Sequence, residues 1–145
     1  MIEIISELDI DAPAKDVWSY FIDSRNWPAI NGMLRDSNPG TEFTRDGKRK
    51  LSIIVKELPP LHVVVKFIVA EEGHLCWRGA VPGFTGEHYF RAEPLDGGKR
   101  TRWVHGERFS GLLSGPILAI IRKKMERGYR EFNYDLAEAY KRAKK

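Results

Sequence analysis

The sequence holds one cysteine, no apolar run of membrane-spanning length, and no glycine loop of the kind that cradles phosphate. Each absence removes a class of protein. Cys76 alone cannot form an internal disulfide, so stability must come from a packed core, and a reducing, cytoplasmic setting is expected. Alternation turns Cys76 away from Trp77, which suits an inert small side chain. The opening Met1-Ile2-Glu3-Ile4 lacks the basic and apolar regions of a signal peptide, and no membrane span is expected. Dinucleotide fingerprint, nucleophile elbow and Cys/His zinc spacing are all missing, so no cofactor is expected.

What remains is ordinary in composition and uneven in charge. Its 145 residues suit one domain over 1–145, long enough to bury a real core. Net charge is +4, but residues 116–145 hold nine Lys/Arg against four Asp/Glu, leaving −1 for the rest. A basic terminal helix can meet nucleic acid, ribosome or anionic lipid; it can equally be a solvated face.

The densest information lies in two alternating segments. In Gly86-Glu87-His88-Tyr89-Phe90-Arg91-Ala92 the residues Gly86, His88, Phe90 and Ala92 share a face. From Thr101 to Phe109, one face carries Trp103, His105, Glu107 and Phe109. The opposite faces carry Glu87, Arg91, Arg102 and Arg108, as a solvated side would. The turn Asp96-Gly97-Gly98-Lys99 suits a tight hairpin, which sets Ala92 against Trp103, Phe90 against His105 and His88 against Glu107. Two imidazoles and a carboxyl group thus point inward among aromatics, where unpaired polar groups are costly.

Further strands are expected at residues 2–10, Arg49–Glu57, Leu61–Ala70 (Val63, Val65, Phe67 and Val69 on one face) and His74–Val81, with a weak one at Thr41–Arg45. Asp11-Ala12-Pro13-Ala14 opens a short helix through Val17, Trp18, Phe21 and Ile22, and a second short helical piece ends at Gly32. A long helix starts near Ser114-Gly115-Pro116. Helical spacing puts Ile117, Ile121, Met125, Gly128, Phe132, Leu136 and Ala139 on one side. Arg122, Lys123, Glu126, Arg130, Asn133 and Glu138 fall on the other. Gly128 lies inside the apolar stripe, which means either close helix–sheet packing or room for a ligand. The result is an α+β chain whose bent antiparallel sheet wraps the terminal helix.

In this order and spacing, the chain resembles the SRPBCC or START-like superfamily, in its polyketide cyclase/dehydrase-like branch. The resemblance spans essentially the whole length. It rests on Ile10-Asp11-Ala12-Pro13-Ala14-Lys15-Asp16-Val17-Trp18, Trp27-Pro28, Leu75-Cys76-Trp77-Arg78-Gly79, Gly86-Glu87-His88-Tyr89-Phe90, Gly97-Gly98-Lys99-Arg100-Thr101 and Glu107-Arg108-Phe109-Ser110-Gly111. It implies a helix-grip fold, a curved seven-stranded antiparallel sheet around a long C-terminal helix, with a cavity between them. Members bind lipids, hormones or quinones, cyclise aromatic polyketides, or act at ribosomes, so fold is implied more firmly than activity.

On this basis the chain is expected to bind a small hydrophobic ligand, lipid, polyketide or quinone-like, as a monomer or homodimer. Trp77, His88, Phe90, Trp103, His105, Glu107, Phe109, Ile121, Met125, Gly128 and Phe132 are the expected ligand-binding residues. The same aromatics could simply make a core. His88 and Glu107 are the catalytic candidates: a carboxylate can hold an imidazole in one tautomer and leave its other nitrogen free for proton transfer. Such a pair suits cyclisation or dehydration; a satisfied structural pair is the alternative. A metal would need three convergent ligands, which His88, His105 and Glu107 supply only if the geometry brings them together. His62 and His74 read as surface residues. The competing reading docks the basic helix on ribosome or nucleic acid.

Overall fold

A computed structural model describes residues 1–145. Seven strands form one antiparallel sheet: β1 Ile2–Ile10, β2 Leu34–Asp36, β3 Lys48–Ile53, β4 Leu61–Glu71, β5 His74–Val81, β6 Phe84–Leu95 and β7 Arg100–Ser110. Their spatial order is β1-β7-β6-β5-β4-β3-β2, so only β1 departs from a meander. Between β1 and β2 lie helices α1 (Ala14–Ile22) and α2 (Trp27–Ile30), and α3 (Ser114–Lys144) closes the chain. Helix α3 lies against β1 and β7, and reaches α1 and α2. This is the helix-grip arrangement.

Local chemistry accounts for the boundaries. Pro13 stands at the N-cap of α1 with φ −61°, and Pro28 sits in the first turn of α2, where a missing N–H costs nothing. Between β6 and β7 the turn Asp96–Gly98 has positive φ at Asp96, Gly97 and Gly98. The pairing is the expected one: Ala92 opposes Trp103, Phe90 opposes His105, and His88 opposes Glu107.

Four sequence expectations need correction. No strand forms at Thr41–Arg45; β2 is instead Leu34–Asp36. Arg49 explains this, because its guanidinium ties up the carbonyls of Asn38, Thr41 and Glu42 and pairs with buried Asp36 at 2.5 Å. The loop's polar groups are therefore satisfied without a ladder. Strand β3 ends at Ile53 rather than Glu57, where the chain turns through a positive φ at Glu57. A bulge between Phe67 and Val69 sends Val69 to the outer face, beside Cys76, Tyr89 and Val104. That outer face is thus not wholly solvated. Finally, the buried side of α3 includes Leu118, Tyr129, Asn133 and Tyr140, and Asn133 is 1% exposed although the sequence pattern sends it to the polar side.

One cluster of 30 buried residues fills the space between sheet and helices. Aromatic rings from α1, α2, β5, β6 and β7 meet there: Phe21 lies 4.7 Å from Phe90 and 4.9 Å from Trp103, ring centre to ring centre.

Candidate functional site

Strands β6 and β7 carry a line of polar groups into this apolar core, and α3 completes it. Alternation aims His88, His105 and Glu107 at the helix, while one helical turn spaces Tyr129 and Asn133 to meet them. His88 Nε2 and His105 Nε2 are 2.7 Å apart. His105 Nδ1 is 3.1 Å from Asn133 Oδ1, and the Asn133 amide donates to the Ser6 carbonyl at 3.4 Å and to its hydroxyl oxygen at 3.2 Å. At the other end, the Tyr129 hydroxyl donates to Glu107 Oε1. Glu107 Oε1 lies 3.5 Å from His88 Nδ1, which has no hydrogen-bond partner of its own.

These contacts fix the protons. The Ser6 carbonyl can only accept, so the Asn133 NH₂ faces it and Oδ1 faces His105. His105 therefore donates from Nδ1 and, being neutral, accepts at Nε2. His88 must then donate from Nε2, which leaves its Nδ1 lone pair directed at Glu107. A lone pair facing a carboxylate is unfavourable, whereas a protonated carboxyl group could donate to it.

The electrostatics run the same way. Burial pushes the His88 imidazole down to about 3. Burial, then the neighbouring His88, holds His105 well below the usual histidine range, against the hydrogen bond to Asn133. Burial raises Glu107 to about 7, opposed by the Tyr129 hydrogen bond. The Tyr129 hydroxyl is raised well above its ordinary range by burial and by Glu107. Glu107 thus does not favour an imidazolium at His88; both histidines are neutral and Glu107 stands near its titration point at neutral pH. With the two Nε2 atoms in a hydrogen bond, His88 and His105 do not converge on a shared cation.

Of the titratable groups in this line, only Glu107 reaches open space. Its side chain is 12% exposed, while His88 and His105 are 0% exposed. Two adjoining apolar cavities, of about 180 and about 80 Å³, share Ile53, Leu61, Phe84 and Glu107 in their walls. The larger adds Val55, Leu58, Pro59, Phe109, Ile121 and Met125; the smaller adds Val63, Val65, Trp77, Val81 and Gly86. Gly86 makes room for the carboxyl group, because a Cβ there would overlap Glu107 Oε2.

Of the residues singled out in the sequence, Trp77, Glu107, Phe109, Ile121 and Met125 line this cleft. Phe90, Trp103 and Phe132 are fully packed in the core beside the two histidines. Gly128 lines not the cleft but a neighbouring surface depression with Asn31, Lys56 and Asp135, and Val55, which its Cα faces, is the wall between the two. His62 is exposed and bonded to Ser52, whereas His74 is half-buried rather than a surface residue. Sequence reasoning missed Tyr129, Asn133 and Ser6. Tyr129 and Asn133 sit four residues apart and continue to Leu136 and Tyr140, a spacing that marks a buried face whatever its polarity.

Sheet, gripping helix and a cleft ending on one carboxyl group define a helix-grip protein with an apolar pocket. The chain belongs to the polyketide cyclase/dehydrase and lipid transport family, whose model matches residues 1–141. Its fold is similar to that of TTHA0849 from Thermus thermophilus, at 16% identity and a TM-score of 0.72 over 99% of this chain and 100% of that one. A protein from Arthrobacter aurescens is similar at 20% identity and a TM-score of 0.72, over 97% of this chain and 86% of that one. Norcoclaurine synthase from Thalictrum flavum is similar at 14% identity and a TM-score of 0.68, over 98% of this chain and 85% of that one. No curated protein matches the chain at a significant level.

Proposed function

We propose that the chain binds a small, flat, largely apolar molecule carrying a carbonyl or hydroxyl oxygen, in the cleft that ends on Glu107. One observation carries this reading: a single titratable group lines both apolar cavities, and it is held from behind by Tyr129. Ligand sites are largely apolar with few polar anchors, and this cleft has that composition. A protonated Glu107 would donate to a carbonyl oxygen; an ionised one would accept from a hydroxyl. The larger cavity, about 180 Å³, is smaller than the roughly 300–1,000 Å³ of many ligand pockets. The ligand is therefore small, or it leaves part of itself at the open mouth. Lipid, polyketide and quinone-like molecules all offer such a head.

Acid–base chemistry is the second reading, favoured by a carboxyl group raised to about 7, where it exchanges a proton readily at neutral pH. Glu107 would then touch substrate, with His88 a positioning residue behind it. A fold neighbour is itself named as a synthase, so catalysis on this scaffold has precedent. In the competing reading, with α3 on an acidic partner, several cations are already engaged: Arg122 with Glu126, Arg127 with Glu57 and Lys144 with Asp16. A reducing cytoplasmic setting fits the buried Cys76 thiol, which burial raises to about 11.

The test is fluorescence titration with a small apolar dye, followed by competition with simple phenols and quinones. Ile121→Trp fills the cleft and is expected to abolish dye binding while the fold persists. Undiminished binding in a folded Ile121→Trp protein would place the ligand elsewhere.

A further inference from the structure

Two neighbours of Glu107 pull on its proton in opposite directions. The Tyr129 hydroxyl donates to Oε1, which favours the ionised carboxylate. His88 presents Nδ1 to the same oxygen at 3.5 Å, and that nitrogen has no other partner. With a proton on Nδ1, His88 would be a second donor and would hold Glu107 as an anion. With a bare lone pair there, it opposes the anion and favours the neutral acid. Nothing else nearby decides the matter. No arginine, lysine or second carboxylate lines either cavity of the cleft, and Ile4, opposite Glu107 on β1, is apolar. Arg108 is engaged by Glu3 and Glu87, and Arg122 by Glu126.

The tautomer of His88 is set at the far end of the line. His88 meets His105 through Nε2, and His105 meets Asn133 through Nδ1. A neutral imidazole carries one ring proton, so each ring passes on the direction it receives. On α3, both groups that face His105 are acceptors. Asn133 turns Oδ1 to it because the Ser6 carbonyl takes the amide, and the Tyr129 backbone carbonyl offers a second acceptor. His105 therefore keeps its proton on Nδ1 and its lone pair towards His88. Asn133 is 1% exposed and both rings are 0% exposed, so water does not relax this choice. At 3.5 Å the His88–Glu107 contact is longer than a hydrogen bond. The carboxyl proton is left for Oε2, the oxygen beside Gly86 in the smaller cavity.

We propose that His105 is a positioning residue that keeps the cleft hydrogen-bond-donating: it fixes His88, His88 keeps Glu107 protonated, and Glu107 Oε2 donates to a ketone or quinone carbonyl. This rests on the cleft being the ligand site and adds which ligand it selects. The reversed line, with Glu107 ionised, would instead favour an alcohol or an amine.

Nitrogen NMR of the histidine rings and carbon NMR of the Glu107 carboxyl test the line in the full chain without a ligand. His105 is expected to carry its proton on Nδ1 and His88 on Nε2; the opposite tautomer in either ring overturns the proposal. His105→Phe keeps an aromatic ring among Phe90, Tyr129 and Phe132 but removes the acceptor that holds the His88 proton. His88 should then carry its proton on Nδ1, and Glu107 should titrate lower by about one to two pH units. An unchanged or higher Glu107 titration in the folded variant overturns the proposal. The binding probes are indanone and indanol, matched in shape and read by displacement of the dye. The parent should lose ketone affinity as pH rises through the Glu107 titration, by up to about tenfold per unit, while the alcohol changes little. His105→Phe should lose the ketone preference at neutral pH. Ketone binding that is equal on both sides of the titration overturns the proposal and leaves the cleft reading intact. Failure of both probes to bind at any pH, with the tautomers as expected, refutes the cleft reading and the ketone preference with it.

Discussion

Phe21 and Phe84 mark two ends of one core, and they live differently. Phe21 is 0% exposed, with rings of Trp18, Trp27, Phe90, Trp103 and Phe132 around it at 4.7 to 6.2 Å. Phe84 is half-buried and stacks on Phe109 alone, at 5.5 Å. The cause is topological. Helices α1 and α2 are inserted between β1 and β2, and they plug the end where Phe21 sits. At the other end the sheet is finished only by the β3–β4 and β5–β6 turns and the loop into α3, so the apolar faces of β4, β5 and α3 meet without filling. A cleft results from helical cover at one end only. The polar line from Asn133 to Glu107 runs between the two regimes: satisfied and dry at Asn133 and His105, open at Glu107.

The sharpest way to break this contrast is to truncate both rings. Phe21→Ala should cost about 3–5 kcal/mol, because it empties a packed aromatic site that cannot collapse. Phe84→Ala should cost about 1–1.5 kcal/mol, since much of that ring already meets water. Denaturant unfolding of the two variants measures the difference. Equal costs would mean that both ends are packed alike.

The second prediction concerns pH. The fold raises Glu107 from an ordinary 4.5 to about 7, so it favours the neutral form. The stability tied to that neutral form is fully present below pH 4.5 and is lost as pH rises through about 7. His88 has the opposite sign: lowered from 6.5 to about 3, its contribution is complete above pH 6.5 and is lost as pH falls towards 3. Glu107→Gln mimics the neutral acid, keeps an acceptor for Tyr129 and supplies a donor towards His88 Nδ1. Relative to the parent, this variant should gain up to roughly 3 kcal/mol between acidic and mildly alkaline pH. Urea unfolding on either side of the Glu107 titration reads this directly. A pH-independent difference would mean that Glu107 titrates as a solvated carboxyl group, and the open end would reach deeper into the polar line than the contrast allows.

How much of this was legible beforehand depends on the kind of signal each element carries. The β6–β7 hairpin declares its register through Asp96-Gly97-Gly98-Lys99 and period-two alternation, and pairing His88 with Glu107 follows from that alone. The contact between them is looser than direct opposition suggests, because the carboxyl group turns to Tyr129 and the two imidazoles turn to each other. No local pattern announces those partners: they depend on how α3 is rotated, which packing decides. Asn133 is misplaced by its own polarity, since a residue-type rule sends an asparagine outward unless a buried partner is known. Strand β2 is three residues long, too short for alternation to show. Arg49 looks like one more surface cation until the loop it holds is in view.

The smallest effect is expected at Gly128, and it separates the cleft from the rest of the helix. The sequence leaves this glycine between two roles, close packing or room for a ligand. In the structure its Cβ position lies 3.2 Å from Val55 Cγ1, and its φ is not positive, so alanine needs no backbone strain. Alanine in a helix interior is worth about 1 kcal/mol over glycine. Against this, Val55 must shift by a few tenths of an ångström, which it can do because it follows the end of β3 in a turn. Gly128→Ala should therefore stabilise the chain slightly, by up to about 1 kcal/mol. Dye affinity should change little, because Gly128 faces a depression with Asn31 and Asp135 and reaches the Glu107 cleft only through Val55, which lines both. Thermal unfolding and dye titration of one variant decide both points. Loss of dye binding with the fold intact would return Gly128 to the ligand site and extend the open region along α3.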